Sequence, residues 1–138
     1  MPSPLIRVTC TVLPAGTPIS AETAHTLTDM LYVSLQEESS ESLVSGYSVA
    51  GKTGTGEIAT DEGYTLEITN ASFVGWGPTD DPKFLVYVWL EQPTTSIWGS
   101  KTAAPVFARV VERLVVLMNI PPDDQRLAIE EVQTEVQE

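Results

Sequence analysis

Basic residues are scarce in this chain. Seven Lys and Arg stand against 19 Asp and Glu, a net charge of −12 over 138 residues, so nucleic acid and anionic membrane surfaces are poor partners. No block of five or more basic residues interrupts that acidity. Cysteine is nearly absent: Cys10 stands alone, which excludes an internal disulfide framework and any multi-cysteine metal site, and it reads as a small apolar core residue. The one histidine, His25, has no partner His, Cys or paired carboxylates at ligand spacing, and no metal or cofactor is expected. Also missing are an apolar run of ~18 residues that would span a bilayer and a charged-then-apolar leader. Met1-Pro2-Ser3-Pro4 opens straight onto a strand-like run, as a piece cut from a longer protein would, which leaves room for an anchor upstream.

With 42% hydrophobic residues, the length allows one domain with a modest core. Residues 5–13 are rich in β-branched side chains and end at Pro14-Ala-Gly16, which predicts a strand and a turn. Ser20 before Ala21-Glu22-Thr23 supplies an N-cap and an acidic first turn. Ala24, Leu27, Leu31 and Leu35 then recur at helical spacing, which predicts an amphipathic helix over 20–36 with His25 off its apolar stripe. The acidic stretch 36–42 lacks the spaced acids and central glycine of a calcium loop and reads as a connection.

Residues 48–59 look extended, with Gly51, Gly54 and Gly56 at positions that in a strand mark close approach of another backbone or a ligand. Thr60 to Gly63 predicts a turn, residues 69–77 a second strand, and Pro78 to Pro82 another turn. Lys83 to Glu91 is nearly continuous in apolar and aromatic residues, which predicts a strand covered on both faces. From Ala103 to Met118 an apolar helix carries a narrow polar stripe of Arg109, Glu112 and Arg113, with Pro105 in its first turn. Asn119-Ile-Pro-Pro122 stops it. The last 16 residues hold six acids and one arginine; Leu127, Val132 and Val136 are spaced for a marginal helix, but disorder is expected there. This order of elements implies an α+β fold, an antiparallel sheet with helices packed on it.

The segment with chemical content is Gly51-Lys-Thr-Gly-Thr55. Alone, Lys-Thr-Gly carries little specificity, and a glycine-rich edge strand with a surface lysine would look the same. A phosphate-binding loop is excluded, because no Gly-x-x-x-x-Gly precedes Lys52 and no long helix follows at once. Its context is distinctive: Gly46-Tyr-Ser-Val-Ala precedes it, and Ala71-Ser-Phe-Val-Gly-Trp-Gly-Pro78, Asp81-Pro82 and Ala103-Ala-Pro-Val-Phe107 follow. Together these resemble the C-terminal part of the transpeptidase domain of class B penicillin-binding proteins, the division and elongation transpeptidases. The resemblance assigns residues 4–122 to that domain and leaves 123–138 as the acidic tail.

The resemblance implies a portion of the serine β-lactamase-like fold and a part in peptidoglycan cross-linking. An open sheet edge at 52–55 would pair with an extended stem peptide ending in D-alanyl-D-alanine, Gly54 keeping the approach free of a side chain. Lys52 would supply a fixed positive charge, and the hydroxyls of Thr53 and Thr55 would donate to the terminal carboxylate. The backbone N–H of Thr55 would be one of two oxyanion-hole donors.

The family's nucleophile motif Ser-x-x-Lys and its Ser-x-Asn motif are both missing. Lys52, Lys83 and Lys101 have Val49, Asp80 and Trp98 three positions before them, and Asn70 and Asn119 have Ile68 and Leu117 two positions before. In the family both motifs lie upstream of this strand. The expectation is therefore a fragment whose parent is an extracytoplasmic, membrane-anchored serine D,D-transpeptidase that β-lactams acylate, while the chain alone is inactive. Its expected partners are the stem peptide, β-lactams, the missing N-terminal half and, for the fragment, a second copy of itself. The alternative is a self-standing non-catalytic module that uses the same edge strand to bind peptides or partners.

Overall fold

A computed structural model describes residues 16–61 and 63–135. The strand expected at 5–13, with Cys10, lies outside them. The described chain runs through α1 (Ala21–Glu38), a single 3-10 turn (Ser40–Ser42), β1 (Ala50–Thr60), β2 (Gly63–Gly77), β3 (Phe84–Glu91), α2 (Ala103–Leu117) and α3 (Asp123–Glu135). The three strands form an antiparallel sheet in the order β1-β2-β3, which meets the expected α+β arrangement.

Register divides the sheet into two faces. Directly opposed residues share a face and neighbours alternate, so Gly51, Thr53 and Thr55 lie with Ala71, Phe73 and Gly75, and with Val86, Val88 and Leu90. Helix α2 packs here, with Phe107 and Val111 fully buried. The Phe73 and Phe107 rings meet at 4.6 Å with a 44° tilt, and burying each ring contributes roughly 1.5–3 kcal/mol. Gly75 makes this contact possible, because a Cβ there would lie 2.6 Å from the Phe107 ring.

The other face carries Ala50, Lys52 and Gly54, then Ser72, Val74 and Trp76, then Leu85, Tyr87 and Trp89. Helix α1 contacts β1 on this side, and the Trp76 indole donates to Thr28 Oγ1 at 3.3 Å. That bond corrects the expected helix stripe: Thr28 is buried where the spacing pointed to Leu27, which is exposed. A threonine bonded to a half-buried indole takes the place of the apolar residue that periodicity alone selects. The N-cap is as expected, Thr23 N–H donating to Ser20 Oγ at 3.1 Å, and His25 is exposed.

Three further expectations are corrected. Strand β3 is not covered on both faces: Phe84 and Val88 are buried, but Leu85, Tyr87 and Trp89 are 68%, 61% and 51% exposed. Helix α2 covers one face of β3 only, so an apolar residue on the other face stays in solvent. Strand β2 starts at Gly63 and not at 69, extending the β1–β2 hairpin past a register shift between Glu57 and Ile58. The irregularity interrupts the apolar alternation that marks a strand in sequence.

The tail is the third correction. Residues 123–135, expected to be disordered, form α3. Asn119 ends α2 in the left-handed region (φ 53°), with Ile120 N–H donating to Val115 O and Asn119 N–H to Val116 O. Ile120 and Val115 are buried together beneath this turn. Pro121 and Pro122 then start α3, whose Arg126 is ion-paired to Asp80 and Asp123. Composition showed the acids but not the partner that the single arginine finds.

Candidate active-site strand

All four expected site residues lie consecutively on β1, which pairs on one side with β2; among the described residues no strand pairs with its other side. The alternation that places Thr53 and Thr55 on the α2 face puts Lys52 on the opposite one. The four methylenes of Lys52 bring its ammonium back to its neighbour, and Nζ lies 3.5 Å from Thr53 Oγ1. Lys52 is exposed, and no ion pair among the described residues involves it. A cation left without a carboxylate in a chain this acidic is available to an anion arriving at the strand edge.

Gly54 is half-buried opposite Ser72. A Cβ at 54 would lie 2.6 Å from Ser72 Oγ, and a Cβ at Gly99 would lie 2.6 Å from Gly54 O and 2.5 Å from Ser72 O. A side chain at 54 would thus meet the Ser72 hydroxyl of a neighbouring strand of the same chain, a contact distinct from the ligand approach expected from sequence. Gly99 was not singled out in the sequence. The loop after β3 carries it back across the sheet, held by Thr69 Oγ1–H donating to Ile97 O at 2.9 Å, and its N–H donates to Thr55 Oγ1 at 3.2 Å. The Thr55 hydroxyl is oriented as an acceptor from the loop, which leaves its proton for another partner. Lys101 donates to Glu41 near the same loop and holds that carboxyl below the usual carboxylate range. A glycine two residues before Lys101 in a Trp-Gly pair is the one sequence sign of this close passage.

Two serines lie close to this strand, Ser48 just before it and Ser72 opposite Gly54. Ser48 N–H donates to Asp123 Oδ2 at 2.6 Å, and Ser48 Oγ accepts from Thr79 N–H at 3.3 Å. Ser72 Oγ faces Gly54. Among the described residues no serine hydroxyl is bonded to a lysine or histidine. The arrangement presents an exposed lysine, two threonine hydroxyls and, among the described residues, a strand side with no partner.

The family model for the penicillin binding protein transpeptidase domain matches residues 10–112, and the chain belongs to that family. It is 35% identical over 106 residues to a peptidoglycan D,D-transpeptidase FtsI homolog of Chlorokybus atmophyticus, covering 75% of this chain and 16% of that protein. It is also 35% identical over 80 residues to the stage V sporulation protein D of Bacillus subtilis, covering 57% of the chain and 12% of that protein. Among solved structures, the transpeptidase domain of Burkholderia pseudomallei penicillin-binding protein 3 superposes with a TM-score of 0.70 at 32% identity, covering 82% of this chain and 37% of that one. Penicillin-binding protein 3 of Mycobacterium tuberculosis complexed with ampicillin gives 0.67 at 27% identity, over 75% of this chain and 26% of that one. The chain thus spans a small share of the length of its curated relatives.

Proposed function

We propose that this chain forms the substrate-holding wall of a peptidoglycan D,D-transpeptidase whose nucleophilic serine lies on another part of the parent enzyme. The observation that carries this reading is that, among the described residues, no strand pairs with the outer side of β1 and no ion pair involves the exposed Lys52. An extended stem peptide ending in D-alanyl-D-alanine adds to that edge through backbone bonds. Lys52, with the hydroxyls of Thr53 and Thr55, holds the terminal carboxylate, and the Thr55 N–H donates to the oxygen that becomes negative when the penultimate carbonyl is attacked. The serine delivers its oxygen to that carbonyl, D-alanine leaves with a proton, and the acyl group passes to an amine of a second stem peptide. β-Lactams present a carboxylate and a strained carbonyl in the same relation and stop at the acyl-enzyme. The substrate is in the cell wall, so the parent acts on the outer side of the cytoplasmic membrane.

The test is acylation by a fluorescent penicillin in the protein that carries both the serine-bearing half and this chain. Lys52→Ala should lower the acylation rate about 10²-fold, by removing the charge that holds the carboxylate. An unchanged rate would remove Lys52, and with it this reading of the edge.

A further inference from the structure

The Lys52–Thr55 stretch is an edge segment, and edge segments are held only as well as their ends are. At the far end, Gly99 N–H holds Thr55 Oγ1. At the near end the chain enters β1 through Gly46-Tyr47-Ser48, and the turn after α2 binds each of these three residues. Tyr47 O–H donates to Ile120 O at 2.9 Å, Asp123 N–H donates to Gly46 O at 2.9 Å, and Ser48 N–H donates to Asp123 Oδ2 at 2.6 Å.

The contacts continue into a closed circuit. Asp123 Oδ1 accepts from Arg126 Nη2 at 2.6 Å, and Arg126 also donates to both carboxylate oxygens of Asp80, at 2.5 and 2.8 Å. Asp80 belongs to the β2–β3 turn, where Thr79 N–H donates to Ser48 Oγ. Ser48, Asp123, Arg126 and the 78–82 turn thus form one ring, through which α3 grips both the start of β1 and the connection beyond β2. The Arg126 and Asp123 side chains are only 15% and 25% exposed, so these charge-assisted bonds are less screened than surface pairs.

We infer that Asp123 and Arg126 are positioning residues for the Lys52–Thr55 strand, fixing its entry end so that the edge stands in one place. The segment between the two anchors contains Gly51 and Gly54, whose backbone freedom makes external restraint necessary. The consequence for acylation rests on the transpeptidase reading above, since oxyanion donors act only when held in place before the substrate arrives. The clasp itself does not depend on that reading.

Amide hydrogen exchange on this chain tests the clasp, with Val115→Ala, a truncation in the α2 core, as a control for lost stability. In Asp123→Ala the amides of residues 48–51 should exchange about tenfold faster than in the control, after normalising both to global stability. Asp123→Asn keeps an oxygen for the Ser48 N–H and should recover most of that protection. In the protein with both halves, Asp123→Ala should lower penicillin acylation about tenfold at a temperature where it is folded, with Asp123→Asn near the parent rate. Exchange in Asp123→Ala no faster than in Val115→Ala overturns the clasp. Loosened exchange with unchanged acylation overturns the positioning role. If the unsubstituted protein does not acylate while the exchange result holds, the transpeptidase reading fails and the clasp stands. Should Asp123→Ala not fold, Asp80→Ala opens the same ring from its more exposed side, and the same outcomes apply to it.

Discussion

Replacing Gly75 with alanine tests the packing that seats the sheet on α2. The added methyl would lie 2.6 and 2.7 Å from two carbons of the Phe107 ring and 2.9 Å from Phe73, where carbon–carbon contacts prefer about 3.5–4.0 Å. Neither ring can swing into solvent, because both are fully buried. Overpacking a tight core costs about 1–3 kcal/mol, and two buried aromatic walls place this case toward the upper end. Alanine in a strand recovers roughly 0.5–1 kcal/mol through the lower chain entropy of the unfolded state. The expected net loss is about 2 kcal/mol, close to a 30-fold fall in the folding equilibrium constant. Urea unfolding followed by tryptophan fluorescence measures it. Phe107→Leu removes the ring carbons that the methyl would strike, so the double variant should be more stable than the two single losses added together imply, by about 1–2 kcal/mol. Strict additivity, or a Gly75→Ala protein as stable as the parent, would show that the rings do not close on Gly75.

Three other outcomes can be checked. Intact-mass spectrometry of this chain after incubation with penicillin should show no covalent adduct, because no serine hydroxyl among the described residues is bonded to a lysine or histidine; a stoichiometric mass increase on any serine would refute this. Arg126 holds the Asp80 carboxyl below its ordinary pKa of 3.8, so the pair stabilises the fold fully above that value and the contribution disappears as pH falls through the lowered one. Asp80→Asn should therefore lose stability at pH 7, by only about 0.5–1 kcal/mol because the side chain is solvent-screened, and should flatten the acid limb of the stability profile; an unchanged limb would count against the pair. Leu85, Tyr87 and Trp89 form an exposed apolar row on β3, so sedimentation velocity at high concentration should show self-association that Tyr87→Glu abolishes; a strictly monomeric profile would sink that expectation.

The sequence by itself determined the kinds of elements and the identity of the edge strand. Ser20 with Glu22 marked the start of α1, Asn119 before two prolines marked the end of α2, and Lys52-Thr53-Gly54-Thr55 in its order of neighbouring segments marked the family. These are local signals: a cap, a stop and a short motif are written in residues a few positions apart. Tertiary structure alone decided which apolar residues are covered. Thr28 is buried in place of Leu27 because Trp76, 48 residues away, donates to it, and one side of β3 is exposed because α2 lies on the other. Gly54 had a motif to explain it, yet a side chain there would meet the Ser72 hydroxyl of the neighbouring strand, while Gly99, in a loop 45 residues further on, is the glycine whose own Cβ would strike the Gly54 carbonyl. The acidic end reads as disordered because composition counts charges without their partners. Arg126 folds back on Asp80, 46 positions earlier in the chain, and a contact at that separation exists only once the sheet has brought the β2–β3 turn beside the start of α3.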